Sequence, residues 1–167
     1  PSATLALEDW CATHHMAARP VVTARKMTPV GPDVVPATVR ADLGVSAMQP
    51  VRHRQVQLVC GTHVLSVADN WYVPDRLDAR MNATLEQTDT SFGHVVAPLH
   101  FSRTRLEFAS LWSPWPGPVT AGHSAGMLDV PAVIIRQRAV LRDGQGQPFS
   151  EVVETYTDQT LDTFPPR

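Results

Sequence analysis

The sequence predicts an α+β fold, an antiparallel sheet with flanking helices, in one domain over residues 1–167. Alternating, β-branched segments come in pairs that are separated by short turn signals, which is typical of hairpins. Helical patterns are confined to the N-terminal part and the middle of the chain, so the strand-helix-strand alternation of a doubly wound sheet is absent. With 43% apolar residues, a chain of this length can bury one hydrophobic core.

The order of elements follows from the periodicity and the turn residues. Pro20 ends the first helix, and Leu77, Met81 and Leu85 share one face of the second. In chain order, the sequence predicts a helix over 4–18, a strand over 21–27, paired strands over 51–60 and 64–73, a helix from Asp75 to about 87, a strand over 99–111, and paired strands over 131–142 and 148–159.

Fifteen prolines predict two long loops. Prolines make residues 28–50 poor in regular structure, and a second loop, rich in proline and glycine, covers 113–127. Long loops in a compact domain often act as lids, and we expect this role for 28–50.

Composition excludes several classes of protein. A net charge of −2 argues against binding to nucleic acid by phosphate neutralisation, and no apolar run of 18 residues predicts a membrane span. Cys11 and Cys60 form no CxxC motif, so free thiols in a reducing cytoplasm are expected. The histidines form no HxH or HExxH pattern, so no metal is expected. No signal-peptide pattern precedes the first helix.

Two ionisable residues lie on strand faces that are otherwise partly apolar. Arg54 shares its face with Val56, which predicts either an arginine at the margin of the core or one at the sheet edge whose head reaches water. Glu154 lies between Val152 and Tyr156, which predicts either an inward-facing acid or an exposed strand glutamate. An arginine and an acid on two strands of one sheet could bind an anion and handle a proton at its far end.

For several other arginine and tryptophan residues, a purely structural role is an alternative to ligand binding. Arg136 and Arg138 share one face of their strand and form either a positive wall for a small dianion or a solvated sheet face. Trp71, Trp112 and Trp115 are expected to be core or loop anchors rather than a stacking platform.

Over roughly residues 51–160, several short segments resemble the chorismate pyruvate-lyase family in order and spacing. The bacterial enzymes of this family convert chorismate to 4-hydroxybenzoate and pyruvate. The resemblance implies an antiparallel sheet with a ligand buried under two flaps, and neither a cofactor nor a metal. The segments are Arg54-Gln-Val-Gln-Leu58, Ala68-Asp69, Thr90-Ser-Phe-Gly93, Arg136-Gln-Arg138, Gly146-Gln-Pro148 and Val153-Glu154-Thr-Tyr156.

The resemblance also implies roles for particular residues. The family's arginine for the ring carboxylate corresponds to Arg54, and its carboxylate near the ligand's 4-oxygen corresponds to Glu154. A backbone N–H contact corresponds to Phe92, where the family more often has leucine. A second backbone contact, from the family's opening segment, would fall near Met16. The family's opening segment also carries a Ser-x-Thr signature that helps to close the site. We do not identify this signature in the sequence, and residues 14–16 are the nearest to it in position.

The sequence therefore predicts a lyase that eliminates pyruvate from chorismate to give a hydroxybenzoate, most simply 4-hydroxybenzoate. Arg54 would hold the ring carboxylate, Glu154 would donate or relay a proton, and Arg136 or Arg138 would meet the enolpyruvyl carboxylate. Two alternatives are a non-enzymatic module of the same fold type that binds small aromatic acids, and a scaffold protein with a degenerate pocket. The presence of both Arg54 and Glu154 favours the enzyme. The sequence does not specify the oligomeric state.

Overall fold

The computed structural model describes residues 2–28, 34–114 and 129–162. The elements in these ranges are four helices and six strands: α1 Ala3–Thr13, β1 Val22–Lys26, α2 Ala37–Leu43, β2 Arg52–Cys60, β3 His63–Tyr72, α3 Ala79–Gln87, α4 Phe92–Val95, β4 Ser102–Ser110, β5 Val133–Arg142 and β6 Pro148–Thr157. None of the described helices is long and apolar enough to cross a membrane.

The six strands form one sheet in the order β1-β2-β3-β6-β5-β4, and every pair is antiparallel. This confirms the predicted fold class. The predicted hairpin of β5 and β6 is present, and its turn is closed by the Asp143 carboxylate, which accepts bonds from the backbone N–H groups of Gln145 and Gln147, both at 2.9 Å.

The two faces of the sheet carry different side chains. We call the face with Arg54, Val152 and Glu154 the site face; helices α1, α3 and α4 pack on it, with Leu85 and Phe92 in its core. The opposite face, which we call the α2 face, packs against α2. Its apolar cluster includes the following residues: Val39, Leu43, Trp71 and Val73.

Helix α3 begins later than the sequence predicts. Residues Pro74–Arg76 form a short 3-10 turn, and Leu77 then adopts extended backbone that interrupts the helix. Asp78 is the N-cap instead of Asp75, because its side chain accepts a 2.7 Å bond from the N–H of Met81.

Helix α1 ends at Thr13 rather than at the predicted residue 18. His15 has a left-handed backbone, with a φ of 54°, and turns the chain away from the helix before Pro20 is reached.

Residues 28–50 are not uniformly irregular, so that prediction is wrong for 37–43. This stretch forms α2, which buries Val39 and Leu43 and ends at Gly44 in the left-handed conformation, with a φ of 62°. Packing of apolar side chains against the α2 face overrides the influence of the flanking prolines. Residues 29–33 and most of the predicted loop over 113–127 lie outside the described residues.

The expectation of free thiols is wrong, because Cys11 and Cys60 form a disulfide. Helix α1 packs across β2 and brings their Cα atoms to 6.5 Å, a separation that a disulfide can bridge. Because 49 positions separate the cysteines, sequence proximity gave no indication of the pair.

Candidate functional site

A small cavity of about 30 Å³ lies between the site face and the N-terminal segment, residues 2–4. The sheet contributes polar side chains from β3, β4 and β6, namely Asn70, Arg103 and Glu154, and the N-terminal segment contributes Ser2 and Thr4. The remaining wall of the cavity includes Gly93 at α4. A cavity of about 150 Å³ is needed to hold a benzene ring, so the cavity must enlarge before an aromatic ligand can enter.

Arg54 lies on β2, two residues before the cavity-lining Val56, and its cross-strand partner Asn70 also lines the cavity. The residue is only 7% exposed, which decides between the two predictions in favour of a buried arginine. One Nη2 bond reaches the carbonyl oxygen of Thr90 at 3.0 Å. The buried Nε and Nη1 atoms have no hydrogen-bond partner among the described residues.

Burial lowers the pKa of Arg54, although nearby Tyr72 and Asp89 oppose the shift. A guanidinium nevertheless keeps its charge in proteins. Arg54 is therefore a desolvated cation with unpartnered N–H groups. It is not itself one of the residues that line the cavity, but its strand neighbour Val56 and its cross-strand partner Asn70 are.

Glu154 lines the cavity and is 4% exposed, so it is the inward-facing acid and not an exposed strand residue. Arg103 binds both of its carboxylate oxygens: Nη1 lies 3.3 Å from Oε1, and Nη2 bonds to Oε2. Gln137 Nε2 donates to Oε2 at 2.9 Å and to the Tyr156 hydroxyl at 2.7 Å. Burial and the Glu154 charge raise the pKa of Tyr156, which keeps its hydroxyl a donor.

Arg103 is the principal site residue that the sequence reasoning missed. Burial lowers its pKa, but the hydrogen bonds and charge of Glu154 outweigh this effect and the net shift is upward. Alternation from Phe101 along the predicted strand places Arg103 on the same face as that aromatic residue, and both line the cavity. This alternation was the available signal.

The N-terminal segment closes the cavity over α4. The Ser2 hydroxyl accepts a 3.2 Å bond from the N–H of Leu5 and caps α1. A Cβ atom at Gly93 would lie 2.8 Å from Ser2 Oγ and 2.9 Å from Thr4 Oγ1, so glycine is needed for this close approach. Phe92 also lines the cavity and is 5% exposed.

The structure places Met16 away from the cavity. Met16 packs at the other end of α1, against the cluster that contains the disulfide. The segment assigned from residues 14–16 is thus replaced at the cavity by a Ser-x-Thr triplet, Ser2-Ala3-Thr4. The assignment failed because α1 runs with its N-terminus, not its C-terminus, over the site.

Arg136 and Arg138 lie on the α2 face. Neither reaches the cavity, contrary to the expectation that one of them would meet the enolpyruvyl carboxylate. The pleat of β5 directs Gln137 to the cavity and its two neighbours to the opposite side. Arg138 bonds to three acids, Glu107, Asp42 and Glu151, with closest distances of 2.6, 2.6 and 3.1 Å. Arg136 is exposed in a separate groove.

Glu151 is the buried member of that ionic cluster, at 1% exposure. Burial raises its pKa and the neighbouring Asp42 adds to the shift, while the bond and charge of Arg138 oppose it only in part. Its Oε2 atom has no hydrogen-bond partner among the described residues.

Neither Trp71 nor Trp112 lines the cavity. Trp71 stacks on His53 with ring centroids 4.7 Å apart, on the α2 face. Trp112 anchors a loop by donating to the Asp129 carbonyl at 3.1 Å, and Trp115 lies outside the described residues. In the part of the chain that the structure describes, no three His, Cys, Asp or Glu side chains are placed to hold a metal.

Comparison with solved structures defines the class of fold. PhnF from Mycobacterium smegmatis matches 96% of this chain and 65% of its own, with a TM-score of 0.55 and 13% identity. The effector domain of PhnF matches 82% of this chain and 81% of its own, with a TM-score of 0.51 and 13% identity. The possible transcriptional regulator YydK from Bacillus subtilis matches 83% and 59%, with a TM-score of 0.51 and 13% identity.

The chain thus shares its fold, a single α+β domain with a six-stranded antiparallel sheet, with these proteins. It spans less than two thirds of full-length PhnF and YydK. Identities this low establish the fold alone.

No family model matches the chain. A relative in Sinorhizobium fredii, "Uncharacterized protein y4mC", is 42% identical over 172 residues, covering 98% of this chain and 71% of the relative. The chain belongs to the same family as y4mC.

Proposed function

We propose that the cavity binds a small aromatic carboxylic acid through Arg54, and that the domain eliminates pyruvate from chorismate. The observation that carries this proposal is the buried guanidinium of Arg54, with two nitrogen atoms that no described residue satisfies. An unsatisfied buried donor costs about 1–3 kcal/mol, so a ligand that meets it gains more than it would at the surface. A carboxylate is the natural partner, because it can accept two parallel N–H bonds from a guanidinium.

Glu154 supplies a second chemical group, and it lines the cavity directly. In the elimination, the bond between the ring and the enolpyruvyl oxygen breaks and the neighbouring ring carbon, which carries the hydroxyl group, loses its hydrogen as a proton. The ring becomes aromatic, and the released enolpyruvate takes up a proton to give pyruvate. A carboxylate at this position can accept a hydrogen bond from the 4-hydroxyl group or receive the ring proton.

The ligand must open the cavity before it binds. The residues that close it are the N-terminal segment, which rests on Gly93, and Arg103, which is held by Glu154. These groups must move aside to admit the substrate and again to release the product. Opening of the cavity is therefore a candidate for the rate-limiting step of turnover.

A non-enzymatic effector-binding domain is the second candidate. It is favoured by the Arg103–Glu154 ion pair, which engages both oxygens of the acid that a lyase would use. The similarity to a domain described as the effector domain of PhnF agrees with this alternative.

Incubation of the purified protein with chorismate, followed by ultraviolet absorbance and chromatography, tests the proposal. We expect hydroxybenzoate and pyruvate in equal amounts, and loss of turnover in Arg54→Gln. Arg105→Gln is the matched control, because Arg105 is exposed and lies over Phe108 instead of the cavity. Saturable 4-hydroxybenzoate binding without turnover would support the effector-binding alternative. Absence of both binding and turnover would overturn the proposal.

A further inference from the structure

Arg103 occupies the boundary between two spaces. The 30 Å³ cavity adjoins an outer cleft of about 390 Å³, and four residues line both: Ser2, Gly93, Phe101 and Arg103. Among these four, only Arg103 carries a charge. Its side chain is 17% exposed and that of Glu154 is 6% exposed, so a ligand that enters from the cleft meets Arg103 before it reaches Glu154.

We propose that Arg103 is a second carboxylate-binding residue and that the ligand class is a small dicarboxylic acid with one carboxylate at each end. This inference rests on the proposed function, in which Arg54 takes the first carboxylate. In the ligand-free protein, Glu154 occupies the guanidinium that the second carboxylate would bind. The bidentate geometry of the Arg103–Glu154 pair is the geometry that a ligand carboxylate would reproduce.

The spacing of the sheet suits a ligand the size of one ring. Arg103 starts on β4 but reaches Glu154 on β6, so its guanidinium lies over β6. Arg54 starts on β2, and only β3 separates β2 from β6. Two strand spacings amount to about 10 Å, which a six-membered ring with a carboxylate at each end can span.

Glu154 retains partners when Arg103 turns to the ligand. Gln137 donates to Oε2 at 2.9 Å, and the Tyr156 hydroxyl lies 3.4 Å from the same oxygen. These neutral donors lessen the penalty of leaving a buried carboxylate without its cation. Glu154 therefore competes with the ligand for Arg103, and removal of its charge would favour the dicarboxylate.

Isothermal titration with two probes of similar size tests this inference. The probes are terephthalate, which has a carboxylate at each end of the ring, and 4-hydroxybenzoate, which has one. In Arg103→Gln we expect terephthalate to bind about tenfold to a hundredfold more weakly, while 4-hydroxybenzoate changes little. In Glu154→Gln we expect terephthalate to bind more tightly, because Arg103 has lost its internal partner. Arg54→Gln weakens both probes, and Arg105→Gln weakens neither.

The outcomes separate the two proposals. Equal effects of Arg103→Gln on both probes, or no effect on either, would overturn the role of Arg103 while leaving Arg54 and the proposed function intact. If neither probe binds the wild-type protein, both proposals fail. Should Arg103→Gln not fold, the double variant Arg103→Gln/Glu154→Gln removes both charges of this ion pair, so neither is left without its partner. Its terephthalate affinity is then compared with that of Glu154→Gln, and an equal affinity would refute the inference.

Discussion

Replacing Arg54 by methionine should stabilise the ligand-free protein while abolishing the binding of aromatic acids. The guanidinium is 7% exposed, makes one bond to the Thr90 carbonyl, and leaves Nε and Nη1 unsatisfied. Methionine has a similar length and flexible packing, and it carries no charge that must be desolvated. It would extend the apolar face that Val56 begins.

The magnitude follows from these contacts. Replacement of buried ionic groups by apolar residues of similar volume is neutral or stabilising by about 1–4 kcal/mol. Loss of the hydrogen bond to Thr90 offsets about 1 kcal/mol of this stabilisation, so we expect the free energy of unfolding to rise by roughly 0–3 kcal/mol. In a protein of this size, each 1 kcal/mol corresponds to about 2–4 °C in Tm.

Urea denaturation of the variant and the wild type, both without ligand, measures the free energy of unfolding, and calorimetry with 4-hydroxybenzoate measures binding. Arg103→Met is the informative control. It leaves Glu154 buried without its cation and should destabilise the protein by about 3–5 kcal/mol. If Arg54→Met instead destabilises the protein by more than about 2 kcal/mol, Arg54 has a structural role and the argument for an anion-binding residue fails.

Three further predictions concern other parts of the molecule. Gly93→Ala should destabilise the protein by about 1–3 kcal/mol and weaken ligand binding, because its methyl group would displace the N-terminal segment; thermal denaturation and calorimetry measure the two effects, and an unchanged Tm would contradict the close approach. Since burial raises the pKa of Glu151 from its usual value near 4.5, ionisation costs folded-state stability. The wild type should therefore lose stability relative to Glu151→Gln as the pH rises from about 4.5 through that raised pKa. Urea midpoints between pH 4 and 8 test this, and parallel curves would refute it. Reduction of Cys11–Cys60 should lower the free energy of unfolding by about 4 kcal/mol, from the entropy of the loop over the 49-residue separation, with Cys11→Ser/Cys60→Ser as the matched variant; a loss below 1 kcal/mol would contradict the estimate.

The strand-based part of the fold could be predicted because it is encoded locally. β5 and β6 alternate strongly and flank a turn whose Asp143 binds two backbone N–H groups, so their pairing follows from nearby residues. The ends of the helices were harder to predict from the sequence. The start of α3 depends on an extended residue, Leu77, and α2 forms because Val39 and Leu43 are buried by a distant part of the chain.

The site was predictable in part on two strands. Alternation put Arg54 and Glu154 on partly apolar faces but left an exposed alternative open for each, and the structure buries both on the site face. Arg103 was missed because Phe101 is the one large apolar residue near it that marks the inward face, and most residues of β4 are exposed. The role of Ser2 and Thr4 depends on how α1 lies over Gly93, which only the tertiary structure reveals.

The alternation of charge along β6 also constrains how the sheet can assemble. Glu151 and Glu154 are three residues apart and therefore project to opposite sides, where each meets its own arginine, Arg138 or Arg103. If β6 slipped by one residue, each acid would turn away from its arginine and face the opposite side of the sheet, which would leave two carboxylates and the Arg103 guanidinium without their partners. Each ion pair thus favours the native register of β6 over a register shifted by one residue. Neutralising both acids should produce a protein that tolerates misaligned β6 pairing, even where the native state itself becomes no less stable.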